Sequence, residues 1–184
     1  MKNILLYLSA FIPMYALMII KHTIEIIVGN LKPNFLNLLV IGLLLLVIIL
    51  GVIGLILEIN RKQEKSKIVI TDKKNTTDEH FLGYFSLFVL FAITFDLSKI
   101  CMLVIFIIII IMIGIVYVKN KLFYINPLLN ILGYNFYNIT YKNAENNKIN
   151  TTKIFFKGDL LLNKTYLVKI KDENFNFLDS TRKK

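Results

Sequence analysis

Four stretches free of charged residues, Ile4–Ile20, Phe35–Leu57, Phe81–Phe95 and Ile100–Val118, constrain this 184-residue chain more than any other feature. A helix that crosses a bilayer needs about 20 apolar residues. Phe35–Leu57 and Ile100–Val118 meet that length, with unbroken aliphatic runs at Leu43–Leu46 and Ile107–Ile111. The Ile-rich run reads as helix although Ile is β-branched, because a lipid-exposed strand leaves its backbone groups unpaired. After Lys119 the chain becomes polar, rich in Asn and Lys, and alternates like short strands. The expected fold class is therefore mostly α and membrane-bound: four transmembrane helices followed by a small β-rich tail. That architecture excludes most soluble enzymes.

The first stretch contains Pro13 and follows Lys2, as a secretory signal would. Its apolar core is long, however, and no small-x-small cleavage site closes it before Lys21. An uncleaved first helix is expected, continuing past Lys21 and His22 because Thr23–Val28 is again mostly apolar. The third stretch is short and needs tilt, or extension to Ser98, to cross. Asp96-Leu97-Ser98-Lys99 alone separates it from the fourth, which predicts a tight antiparallel pair. The domain division is a four-helix membrane domain over 1–118, with spans near 4–20, 35–57, 81–95 and 100–118 and a loop at 58–80, then a junction helix and β-rich domain over 119–184.

Basic residues set the orientation. The N-terminus, the 58–80 loop and the tail carry 19 Lys and Arg against 3 on the opposite side, Lys21, Lys32 and Lys99. The positive-inside rule places the first group in the cytoplasm. This asymmetry accounts for the net charge of +10 without nucleic acid, and no direct nucleic-acid binding is expected. Glu58, Asp96 and Lys99 lie at span ends, and no acidic residue sits mid-span, so coupled transport or a proton relay is not expected. A passive pore built by oligomerisation stays open. The single cysteine, Cys101, reads as a small apolar residue in a helix. His22 and His80 fall on opposite sides of the membrane and read as solvated or interfacial. No catalytic constellation, cofactor-binding loop or metal-ligand cluster is present in the pattern, so no enzyme activity, cofactor or metal is expected.

Two sets of residues point to helix packing. Phe81, Tyr84, Phe85, Phe88, Phe91 and Phe95 lie within about a third of a helix circumference. Such a stripe serves equally as a packing interface or a lipid-facing surface. Gly51 and Gly54, with Gly42 and Gly114, permit close helix approach but do not form a Gly-x-x-x-Gly pair.

The junction after the fourth span is the most motif-like segment. Asn126 suits a helix N-cap, Pro127 the first helical position and Gly133 a left-handed stop, which predicts a short helix over Pro127–Leu132. Tyr124, Tyr134 and Tyr137 suit a headgroup-level interface. Beyond it, Phe136–Tyr141, Lys153–Phe156, Tyr166–Ile170 and Phe175–Leu178 read as short strands. Asn143–Asn147, Gly158-Asp159 and Asp172–Asn174 supply turns. About 50 residues are few for an independent core. The sheet is expected to be completed by the junction, by the 58–80 loop or by neighbouring subunits. Lys169 and Lys171 suit contact with anionic lipid, and Arg182-Lys183-Lys184 a solvated end.

Four spans, the Asp96-Leu97 turn, the Gly83-Tyr84 start of the third span, and Ile125-Asn126-Pro127-Leu128-Leu129 followed by Gly133-Tyr134 and Tyr137 together resemble the KwaA family. This family supplies the membrane subunit of the Kiwa antiphage defence system of bacteria. The resemblance implies a multi-pass protein of the inner membrane that forms a homo-oligomer, expected as a tetramer. It also implies an envelope sensor or scaffold that recruits a soluble DNA-binding partner, KwaB. The coupling residues would then be Asn126, Pro127, Leu128, Leu129, Gly133, Tyr134 and Tyr137. A small immunity-type membrane protein and a pore-forming effector are the alternative readings.

Overall fold

The computed structural model describes residues 2–60, 66–120, 122, 125–143, 148–169 and 176–179, without the side chains of 2, 78–81, 169 and 176–179. Among the described residues two helices are long and apolar enough to cross a membrane: α3 (Phe35–Ile59) and α5 (Ile100–Lys119). The first apolar stretch is not one straight span. It forms α1 (Lys2–Ala10) and α2 (Ile12–Ile27), bent by 51°. Pro13 is the cause, because it lacks the N–H that would bond back to Ser9 and its ring crowds the preceding turn. The bent pair would make a third crossing only if both halves act as one span. In α4 (Thr77–Thr94) the first turn is polar, and the apolar part, Leu82–Thr94, falls short of a span. In place of the four full-length spans expected, the described residues supply two spanning helices, one bent pair and one shorter apolar helix.

α1 and α2 pack on α3, α2 also packs on α4, and α5 approaches α1 most closely. The expected antiparallel pairing of the third and fourth spans is therefore loose. It is carried by contacts such as Phe95 against Phe106, with ring centroids 5.6 Å apart. Among the described residues of α5, Phe106 and Tyr117 are the buried ones. Most of its Ile side chains point outward, as a lipid-facing or partner-facing helix requires.

The segment between α3 and α4 supplies a strand, β1 (Ser66–Asn75), that no sequence pattern marked. After α5 come the short helix α6 (Pro127–Ile131) and strands β2 (Tyr134–Asn143), β3 (Ile149–Lys157), β4 (Thr165–Lys169) and β5 (Asn176–Asp179). β1 pairs antiparallel with both β2 and β4, β2 with β3, and β5 closes the curl between β3 and β4 in the order β1-β2-β3-β5-β4. The β3–β5 pair is parallel. Of the three ways to complete the sheet, this protein uses the 58–80 segment. Helices α4 to α6 are an insertion between two neighbouring strands.

Alternation of side chains explains the barrel interior. Ile68 and Ile70, Tyr137, Ile139 and Tyr141, Ile154 and Phe156, and Tyr166 and Val168 are each two residues apart and share one core with Leu160. The opposite face of β2 and β3 turns Phe136 and Phe155 into the helical core instead. A small barrel with few core residues thus gains a second apolar contact, which offsets its size. Of the expected turns, 144–147 and 172–174 lie outside the described residues, as do Lys171 and 182–184 and the side chain of Lys169.

Candidate functional site

α6 is where α1, α2, α4 and β2 meet. The local sequence forms it as expected. The Asn126 side-chain oxygen accepts from the Leu128 N–H at 3.1 Å, and Pro127 occupies the first turn. Gly133, at φ +84°, ends it, with its N–H on the Asn130 carbonyl at 2.9 Å. Leu129 is fully buried in the helical core, and Pro127 and Asn126 are buried beside it.

The Asn126 amide does a second job. Its Nδ2 donates to Ser9 Oγ at 2.9 Å, across 117 residues of sequence, and Ser9 Oγ donates to the Leu6 carbonyl at 2.7 Å. The same side chain therefore caps α6 and ties it to the end of α1, just before the Pro13 bend. Both residues are buried, so the bond forms where an unpaired polar group is costly. Tyr117, near the end of α5, donates to the Ile125 carbonyl at 2.7 Å. The Tyr117 ring meets Tyr7 at 5.4 Å and Phe11 at 6.3 Å, and Phe11 meets Phe88 of α4 at 5.4 Å. Three helices thus share one aromatic cluster, which the Tyr117 hydroxyl ties to the start of α6.

The barrel is also held by Thr77, which bonds β2. Its Oγ1 accepts from the Phe136 N–H at 2.8 Å, and the Thr76 N–H donates to the Phe136 carbonyl at 3.0 Å. These bonds fix the step from β1 into α4 against β2. Phe136 and Phe155, 5.3 Å apart, carry the contact into the core that holds Leu129.

The expected site residues separate into groups. Asn126, Pro127, Leu128 and Leu129 are together on α6, with Leu128 half-buried. Tyr134 is half-buried at the start of β2, with Lys157 Nζ 6.0 Å from its ring centroid. Tyr137 is not at an interface: it is buried in the barrel, where its hydroxyl donates to the Gly158 carbonyl at 3.2 Å and desolvation raises its pKa. Tyr124 lies outside the described residues. Phe88 is buried, Tyr84, Phe91 and Phe95 are partly buried against it, and the Phe81 side chain lies outside the described part. Gly51 and Gly54 lie under α1. Sequence reasoning passed over Ser9, Thr77 and Tyr117. The signal for Ser9 was its place four residues before Pro13 in an otherwise apolar run.

At the opposite end of the helices, Lys21 Nζ donates to the carbonyls of Ile93 and Phe95, at 3.2 and 3.1 Å, capping α4. His22, expected to be solvated or interfacial, is buried, since α2 turns it toward the bundle. Asp96 accepts from Ser98 N–H at 3.2 Å and Ser98 Oγ at 2.5 Å, and pairs with Lys99 at 3.2 Å. The Ser98 side-chain bond, with help from Lys99, holds its carboxyl below the usual carboxylate range against the opposing effect of burial. A carboxyl held low in the folded state stabilises the turn above its unfolded pKa of about 4, and that contribution is lost as pH falls through the folded value. The thermal midpoint of the wild type should therefore fall further between pH 6 and pH 3 than that of Asp96→Asn. The difference should be small, as for any exposed pair.

Among the described residues no group of His, Cys, Asp or Glu is placed to hold a metal. At α6 the helices and the barrel are joined by packing and by the Asn126 hydrogen bonds. The chain belongs to the KwaA family: the family model described as anti-phage protein KwaA matches residues 2–177. No curated protein and no solved structure matches it.

Proposed function

We propose that this member of the KwaA anti-phage family is a membrane sensor and scaffold whose helices report envelope disturbance to the barrel through α6. In this reading it sits in the bacterial inner membrane with N- and C-termini in the cytoplasm, forms a homo-oligomer such as a tetramer, and performs no catalytic step. The barrel, built from β1 and the tail, presents the surface that recruits a soluble DNA-binding effector, the KwaB partner that the family resemblance implies.

The observation that carries the reading is the buried Asn126–Ser9 bond. It links the first helix to the junction, and the junction to the barrel, so a shift of α1 moves the barrel. Phage plaquing on cells that carry the native locus tests it. In-frame deletion of the gene should raise plaquing strongly, and supplying the gene in trans should restore protection. Replacing Pro127 and Gly133 together with alanine should abolish protection while membrane insertion is kept. Full protection by a normally expressed double variant would remove α6 from the mechanism, and unchanged plaquing on deletion would remove the defence role.

A further inference from the structure

α5 touches the rest of the bundle along a narrow line, which leaves a groove on each side. One, of about 260 Å³, lies between α5 and α3. The other, of about 580 Å³, lies between α1 and α5 and is lined by Ile4, Tyr7, Leu8, Ile111, Ile115 and Lys119 among others. Apart from Lys119 its lining is apolar except for the tyrosine hydroxyl, and that hydroxyl is already engaged, donating to the Ile110 carbonyl at 2.5 Å. Gly114 also lines it, and the missing side chain there leaves room for the Tyr7 ring, which a Cβ would approach to 2.9 Å.

We infer that the α1–α5 groove binds one acyl chain of an anionic phospholipid, with the headgroup phosphate at the Lys119 ammonium. The inference rests on the membrane-inserted reading above. From Ile110 to Lys119 the groove follows nine residue-to-residue rises of helix, about 13.5 Å at about 1.5 Å each. That is close to the depth of one leaflet of a hydrocarbon core about 30 Å thick. An apolar groove left empty forfeits its dispersion contacts, so in a bilayer it fills. The charged residue among its described lining, Lys119, stands at the end of α5, where the headgroups begin. A surface-level lysine attracts anionic lipid over zwitterionic lipid. The occupant would rest on Tyr7, whose ring meets Tyr117, the residue that holds Ile125 at the start of α6. The lipid composition around the protein would thereby bear on the junction.

The test uses the full chain reconstituted into phosphatidylcholine vesicles that carry a trace of phospholipid with a photoactivatable acyl chain. The tracer has either a phosphatidylglycerol or a phosphatidylcholine headgroup. Flotation of the vesicles first establishes insertion; a chain that does not float overturns both this inference and the membrane reading. In floated protein, adducts should concentrate on Ile4–Leu8 and Ile110–Val118, with phosphatidylglycerol labelling about fivefold stronger. Lys119→Gln should bring that ratio near one. Ile115→Trp should reduce labelling by both tracers while the protein still floats. Labelling spread evenly over α3 and α5 with no headgroup preference would overturn the inference. So would disulfide-linked dimers of Ile115→Cys in a Cys101→Ser background with the groove unlabelled, which would assign the groove to a second copy.

Discussion

Asn126→Ala is expected to lower the stability of the folded chain by about 2–3 kcal/mol and to abolish protection against phage. Two losses combine. The Leu128 N–H loses its cap, which is worth about 0.5–2 kcal/mol at a helix start. Ser9 Oγ loses its donor inside the core, although it keeps its own bond to Leu6. Thermal unfolding in lipid nanodiscs measures the sum. A double-mutant cycle with Ser9→Ala isolates the bond itself, and its coupling should be about 0.5–1.5 kcal/mol. Asn126→Asp tests the same geometry differently. It keeps the acceptor for Leu128 but removes the donor to Ser9 and buries a charge, so it should not rescue. Additivity of the two alanine variants would show that the first helix and α6 are energetically separate, and the proposed coupling would fail with it.

The close approach of α1 to α3 should be the least tolerant feature of the helical region. A Cβ at Gly51 would lie 3.0 Å from the backbone nitrogen of Ser9 and 3.1 Å from the Leu8 carbonyl carbon. A Cβ at Gly54 would meet Leu5 at its own Cβ. Backbone atoms in a helix cannot turn aside as a flexible side chain can, so the helices must part. Gly51→Val with Gly54→Val is expected to cost about 3 kcal/mol or more, at the upper end for overpacking. It should also expose α1 to protease and uncouple Ser9 from Asn126. Gly42→Ala on the same helix is the control. Nothing lies within 4 Å of a Cβ there, so it should be neutral or slightly stabilising. Equal tolerance at Gly42 and Gly51 would contradict the packing of α1 described above.

Much of this site is written in local chemistry. The cap, the proline and the glycine stop of α6 act within a few residues of one another, so Asn126, Pro127 and Gly133 mark that helix by residue type and spacing alone. The strands of the tail alternate within themselves, and β2, β3, β4 and β5 fall within a few residues of the segments that alternation marks. β1 escapes notice because it has only Ile68 and Ile70 as inward residues, in a segment that otherwise reads as charged loop. Its pairing partners start about 60 residues later.

The sequence by itself determined the lengths of the two spanning helices, the place of the junction and the positions of the tail strands. Each follows from composition or spacing inside one short window. Only the tertiary structure decided that Pro13 splits the first stretch at 51°, that 66–75 completes the barrel, that His22 is buried, and that Ser9 meets Asn126. Those depend on which distant segments find one another. Hydrogen bonds and close backbone contacts between residues far apart in the chain leave no periodic trace in either partner.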